Sequence, residues 1–133
     1  MSLFKADLHL HTCLSPCAGL DITPTNLMKR ARDLGLGLIA VTDHNSAENM
    51  AAVRQAARRL GPRRPIPVVL AGLEVTTDEE AHRLTLLQNL PSTLTMQAMV
   101  YSHLQTGVND PEVFGYQIFA KPNAERGENI LAG

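Results

Sequence analysis

The chain has 133 residues, with 12 Lys plus Arg against 13 Asp plus Glu, a net charge of -1, 44% hydrophobic residues and 19% charged. That composition excludes a chain disordered throughout, and the balanced charge argues against a general electrostatic grip on nucleic acid or an anionic membrane. The length is one domain's worth, there is no apolar run of transmembrane length and no signal-peptide stretch, and two cysteines are too few for a secreted disulfide scaffold, so the expected compartment is the cytoplasm.

Leu3 to Leu10 alternates apolar and polar residues and reads as a strand that ends in histidines. Thr23 is a suitable N-cap and Pro24 suits the first helical position. Leu27, Met28, Ala31 and Leu34 then share one helix face, and Gly35 is a natural stop. Gly37 to Thr42 is a short apolar run expected to be a buried parallel strand. Ser46 is expected to cap a second helix running to about Leu60, with Met50, Val53, Ala57 and Leu60 as its buried stripe. Pro67 to Gly72 reads as a third buried strand, continuing toward Glu74 and Val75. Thr76 to Glu80 is polar and expected to turn, and His82 to Leu87 reads as another strand. Pro91 to about His103 is expected to be helical, with Leu94, Ala98 and Tyr101 aligned. The order β-α-β-α-β-β-α argues for an α/β fold with a parallel sheet and crossover helices. Beyond Gly107 the pattern weakens. Gly115 to Ala120 has strand character, and Lys121 to Gly133 reads as an irregular tail.

The candidate chemistry sits at the ends of the expected strands. His9 and His11 are two apart, so on a strand both imidazoles point to one side and can reach one metal ion. Asp7 is two residues earlier and is placed to orient a ligand histidine from behind. Asp43 and His44 directly follow the second strand, and Glu74 follows the third. In parallel sheets ligands collect at the carboxyl ends of strands, so these groups converge on one rim. Glu74 can bridge two cations, one oxygen to each. His82 returns to the rim if residues 76–80 turn back. Cys17, in the loop after His11, is a candidate thiolate ligand beside His44. Cys13 reads as packing, and no disulfide between the two is expected. His103 is explained by its place near a helix C-terminus. Arg54, Arg58, Arg59, Arg63 and Arg64 read as a solvated outer face.

Asp7-x-His9-x-His11-Thr12, then Thr42-Asp43-His44, then Gly72-x-Glu74, in this order and each after a strand, resembles the PHP (polymerase and histidinol phosphatase) family. His11-Thr12-Cys13-Leu14-Ser15-Pro16-Cys17 followed by Thr42 to Asn49 looks like a bacterial subgroup of stand-alone PHP proteins. The likeness covers at least Phe4 to Leu87. It implies a distorted (β/α)7 TIM-like barrel, up to three divalent metals (zinc, manganese or iron) and hydrolysis of phosphate esters. Carried onto this chain, His9, His11 and Glu74 would hold one metal. Glu74 and His82 would hold a second, and Cys17 and His44 would belong to a third. Glu74 and His44 are the candidates for catalysis itself, with Asp7 and Asp43 supporting them. Two or three cations would bind phosphoryl oxygens and make hydroxide from water at neutral pH.

The chain departs from the family pattern in having no Asp-x-His after position 44. A whole barrel needs roughly 200 residues or more. The expectation is therefore the N-terminal portion of a PHP domain over residues 1–133. Its motifs lie within 4–87, with a helix and irregular tail over 88–133. The expected function is metal-dependent hydrolysis of a phosphorylated small molecule or nucleotide, weakened in so short a chain. The alternative is a non-catalytic metal-binding or assembly remnant. Neither a membrane nor nucleic acid is an expected partner. Self-association, or a partner supplying the other half, would cover the open sheet edge.

Overall fold

The computed structural model of the chain describes residues 3–61, 65–77, 81–105, 107–125 and 127–132. The elements in order are β1 (Lys5–Leu10), α1 (Pro24–Asp33), β2 (Leu36–Val41), α2 (Met50–Arg59), β3 (Val68–Thr76), β4 (His82–Leu87), α3 (Leu90–Tyr101), α4 (Pro111–Phe114), β5 (Ile118–Asn123) and β6 (Gly127–Ala132). The first four strands form one sheet in the order β1-β2-β3-β4. β1, β2 and β3 are parallel, and β4 runs back antiparallel along β3. The expected α/β class holds, as a curled, mostly parallel sheet with crossover helices that traces half the arc of a barrel.

The core lies between this sheet and α1 and α2. Met28, Ile39, Val41, Met50, Val53 and Leu73 are its large, fully buried side chains. Burying each contributes about 1.5–3 kcal/mol. α1 is capped as its sequence demands: the Thr23 side chain accepts from the Asn26 N–H, Pro24 opens the first turn, and Gly35 at φ +70° ends the helix. Gly72 is required for a different reason. A Cβ there would stand 2.6 Å from the Thr85 carbonyl oxygen of β4, so only glycine lets the two strands pair at this point.

The structure corrects several expectations. α2 begins at Met50 rather than next to Ser46, and its N-cap is Asn49. The Ser46 hydroxyl instead receives the Tyr101 O–H at 3.0 Å and the Glu48 N–H at 3.2 Å. A turn over residues 48–49 comes before the helix. α3 does not bury the face marked by Leu94, Ala98 and Tyr101. Leu94 and Tyr101 are exposed, and Leu90, Thr93, Met96 and Val100 face the interior. The apolar residues of α3 are spread around the helix, so its sequence alone does not select a face. Thr76 belongs to β3, and residues 78–80 of the expected turn lie outside the described residues.

The largest difference is in the tail, which is not irregular. β5 and β6 form an antiparallel hairpin separate from the main sheet. Polar side chains of α2 and its N-cap hold it. Asn49, fully buried, accepts the Ala120 N–H at 2.6 Å and donates to the Ile118 carbonyl at 3.2 Å. Gln55 makes two bonds to the Asn123 backbone, at 2.6 and 3.0 Å. Arg59 donates to the carbonyls of Asn123 and Ala124, both at 2.9 Å. At the start of α1, the Thr25 N–H and hydroxyl both bond to the Glu128 carboxylate. Arg59 is thus a clamp on the hairpin turn rather than part of a purely solvated face. Arg63 and Arg64 lie outside the described residues.

Candidate metal centre

Backbone pairing assembles the site. Where β2 ends, the Thr42 N–H still bonds to the Leu10 carbonyl at 2.8 Å, which fixes the β2 exit beside the β1 exit. One step on, the Glu74 N–H bonds to the Asp43 carbonyl at 3.0 Å and the Asn45 N–H to the Glu74 carbonyl at 2.8 Å. His44 and Glu74 therefore form an isolated parallel bridge past the end of β2. Asn45 takes a positive φ of 52°, which Asn tolerates better than most residues. Its side-chain oxygen accepts the Thr76 N–H at 3.0 Å, which ties this exit to β3 again. Across the β3–β4 ladder Thr76 pairs with His82 and Glu74 with Leu84. Glu74 and His82 are thus diagonal neighbours on one face, within reach of each other.

Four imidazoles converge on the Glu74 carboxylate, which is only 3% exposed. Its Oε2 lies 3.2 Å from His9 Nε2, 3.1 Å from His11 Nε2 and 3.4 Å from His44 Nδ1. Its Oε1 lies 2.8 Å from His82 Nδ1. His9 and His11 approach each other at 3.1 Å through their Nε2 atoms. Cys17 Sγ is 3.4 Å from His44 Nε2. His44 Nδ1 also meets the Thr76 hydroxyl at 3.2 Å. All six candidate ligands, His9, His11, Cys17, His44, Glu74 and His82, are thus brought together. Three groups have donor atoms all within 4.8 Å of one another: His9, His11 and Glu74; His44, Glu74 and His82; and His11, Cys17 and His44. Two nitrogens and one oxygen or sulfur per group is the donor chemistry of zinc and related cations, with room for an open position.

The supporting residues divide. Asp43 is buried and accepts three hydrogen bonds, from the Thr12 N–H, the Thr12 hydroxyl and the Ser15 hydroxyl, all at 2.7 Å. Ser15 in turn touches His11 Nδ1 and the His44 N–H, both at 3.0 Å. Asp43 therefore braces the two loops that carry the ligands. Asp7 acts on the backbone, accepting the His9 N–H at 3.3 Å. Cys13 is fully buried with its thiol against the Ile118 carbonyl at 3.6 Å, and both cysteines are free, as expected for packing without a disulfide. His103 bonds to the Met99 carbonyl at 2.9 Å, outside the cluster. The sequence assigns no role to Ser15, Thr12, Thr76 or Asn49, although Thr12, Ser15 and Asn49 stand within the stretches that carry the family resemblance.

Burial lowers the His11 imidazole below its ordinary pKa, and the neighbouring His44 lowers it further against the pull of Glu74. Neutral imidazole is the form that binds metal. Burial pushes the Glu74 carboxyl up, but hydrogen bonds to His9 and His82 and the charge on His44 outweigh it and hold the group below the usual carboxylate range. Burial raises the Asp43 carboxyl, with the Thr12 and Ser15 bonds opposing. Burial also raises the Cys17 thiol, assisted by the negative charge of Glu74 and Asp43. Thiolate ligation there requires the loss of a proton that the protein alone retains.

A cleft of about 670 Å³ opens beside the cluster. Its lining includes His44 and His82, the apolar Leu14, Leu104 and Phe114, and the polar Asn109, Gln117 and Glu48. Among the described residues it is lined by no Lys or Arg. Its size is that of a small-molecule site.

With this geometry in place, the comparisons are consistent. The PHP domain family matches residues 7–123. An uncharacterized protein of Methanocaldococcus jannaschii, MJ1587, is 28% identical over 104 residues, covering 72% of this chain and 58% of that protein. The 5'-3' exoribonuclease Rnm of Salmonella typhimurium is 35% identical over 78 residues, 59% of this chain and 25% of that enzyme. Two solved structures are also similar. A protein of Bifidobacterium adolescentis assigned as a metal-dependent phosphoesterase has a TM-score of 0.56 and 28% identity, covering 74% of this chain and 32% of that one. An amidohydrolase of Chromobacterium violaceum, with bound sulfate and no metal, has a TM-score of 0.57 and 30% identity over the same shares. The chain thus spans between a quarter and three fifths of these relatives. The strand-end histidines, the shared carboxylate and a family match over most of the sequence agree, and the chain belongs to the PHP domain family.

Proposed function

We propose that this chain carries a metal-dependent phosphoesterase site in which His9, His11 and Glu74 hold one divalent cation. Glu74 and His82 hold a second, and Cys17 and His44 take part in a third. The observation that carries this reading is the convergence of four imidazoles on one buried carboxylate. A structural ion pair needs one partner for Glu74, not four. The thiol and imidazoles favour zinc or iron, and the carboxylate also suits manganese. When bound, such cations polarise a phosphoryl oxygen and supply hydroxide at neutral pH. The chain's own residues do the rest. Glu74 offers one oxygen to each of two neighbouring positions. Asp43 and Ser15 hold the His11 and His44 loops at fixed spacing.

Cleft chemistry supports a small phosphorylated molecule or a single nucleotide as substrate. A nucleic-acid strand would present several phosphates to a lining that offers them no Lys or Arg and does offer Glu48. The test is elemental analysis of protein purified without an affinity tag, together with phosphate release from simple phosphomonoesters in added zinc, manganese or iron. Bound metal and metal-dependent release, abolished by a chelator, are expected. Metal bound with no release from any phosphoester would leave the non-catalytic reading in its place.

A further inference from the structure

Ser15 offers no ligand atom, yet its hydroxyl is the point where the His11 loop, the His44 loop and Asp43 meet. We propose that Ser15 is a positioning residue that sets the tautomer of His11, with the hydrogen on Nδ1 and the lone pair on Nε2 facing Glu74.

The argument is a count of protons. A serine hydroxyl has one hydrogen to donate and two lone pairs. Ser15 Oγ has three polar neighbours: Asp43 Oδ1 at 2.7 Å, the His44 N–H at 3.0 Å and His11 Nδ1 at 3.0 Å. The backbone N–H of His44 can only donate, so it fills one lone pair. Asp43 accepts from every other partner it has. Its Oδ1 takes the Thr12 N–H and its Oδ2 the Thr12 hydroxyl, both at 2.7 Å. The Thr12 hydroxyl has no alternative, because its own lone pairs receive the Leu14 N–H at 3.2 Å and the Asn49 amide at 2.9 Å. With Asp43 ionised, as its three incoming bonds favour, the Ser15 hydrogen therefore goes to Asp43. Only a lone pair remains for His11, so Nδ1 must bring the hydrogen, and in a neutral imidazole Nε2 is then bare.

That bare nitrogen sits 3.1 Å from both Glu74 Oε2 and His9 Nε2, where three acceptors crowd around at most one hydrogen, that of His9. The arrangement suits a cation better than it suits itself. A second consequence follows. With Nδ1 committed to Ser15, His11 has one outlet, and one lone pair serves one cation. The His9–His11–Glu74 group and the His11–Cys17–His44 group therefore exclude each other at His11.

The tautomer argument stands on hydrogen bonds alone. Its consequence for binding rests on the proposed metal site, and the experiment separates the two. Long-range proton–nitrogen NMR spectra of the metal-free protein are recorded at a pH where the imidazoles are neutral, with His11 assigned by comparison with His11→Gln. Ser15→Ala and Ser15→Thr are examined alongside, and zinc affinity is measured by competition with a chelating dye. The expected wild-type signal is Nδ1–H with bare Nε2. Ser15→Ala is expected to shift His11 toward Nε2–H and to weaken zinc binding about 10–100-fold, the range for outer partners of ligand histidines. Ser15→Thr is expected to restore both. Wild-type protein with Nε2–H overturns the proposal even if Ser15→Ala does not fold. So does a Ser15→Ala protein with unchanged tautomer, or one that binds zinc as tightly as a zinc-binding wild type. The expected wild-type tautomer with no zinc bound by any variant leaves the role of Ser15 intact and overturns the metal site.

Discussion

Between residues 5 and 76 the chain is held by parallel strand pairing and an apolar core, whereas between 118 and 132 it is held by side-chain amides, a guanidinium and a carboxylate reaching across the sequence. The first arrangement repeats along the chain, and each strand exit delivers a ligand to the same rim. The second is a set of individual contacts 64 to 103 residues apart. Asn49 belongs to both. Its amide supports Thr12, and through Thr12 the Asp43 hub, while its other bonds hold β5. The difference teaches that the metal cluster rests on the periodic part of the fold, while the hairpin buttresses it through buried Asn49 and through Cys13, whose carbonyl accepts the Ile118 N–H at 2.7 Å.

The largest expected effect is at the rim. Glu74→Gln should remove most bound metal, a loss beyond the roughly 10–100-fold seen for outer partners, while hydrogen exchange in β5 and β6 stays at wild-type rates. His103→Gln should leave metal content unchanged. Equal losses from the two, measured by elemental analysis, would take the cluster off the rim.

Next is the apolar core. Ile39 is fully buried in the middle of β2, and Ile39→Ala should destabilise the fold by about 2–5 kcal/mol. The readout is the urea midpoint. If sheet and hairpin are one cooperative unit, probes in both should unfold together, and separate transitions would show that the polar clamps fold on their own.

Asn49→Ala should cost about 2–4 kcal/mol, because the Ala120 N–H loses its partner in a buried setting and the Ile118 carbonyl keeps only the weak Cys13 thiol. Amide exchange in β5 should rise more than in β2. Metal affinity should also fall, since the Thr12 hydroxyl loses the bond that directs its hydrogen to Asp43. Unchanged affinity would confine Asn49 to the hairpin.

Arg59→Ala is the mildest, about 1 kcal/mol or less, because Arg59 is exposed and water can replace it at the Asn123 and Ala124 carbonyls. The effect should appear as faster exchange at the β5–β6 turn, with metal content unaltered. A large global loss would mean that the hairpin turn is coupled to the core more strongly than its exposed contacts imply.

What could be determined from the residues alone is what local physics encodes. A two-residue spacing on a strand puts His9 and His11 on one side whatever surrounds them. Thr23, Pro24 and Gly35 specify the limits of α1 through backbone groups within one helical turn. Short apolar runs mark β2 and β3, and the carboxyl ends of parallel strands share a rim, so His44 and Glu74 were placed without coordinates. Tertiary structure decided everything that depends on a distant partner. Ser46 resembles a cap but bonds to Tyr101 of α3. The buried face of α3 is chosen by the sheet beneath it, because its apolar residues are spread around the helix. β5 and β6 pair where the sequence looks irregular, because Asn49, Gln55 and Arg59 bond to backbone that no periodicity marks. The tautomer of the His11 ring depends on where one serine hydrogen goes, and that is set by Thr12, Asp43 and Asn49 together. A hydrogen bond has a direction and a single donor, so its partner is defined only when the folded chain brings the two ends within 3 Å.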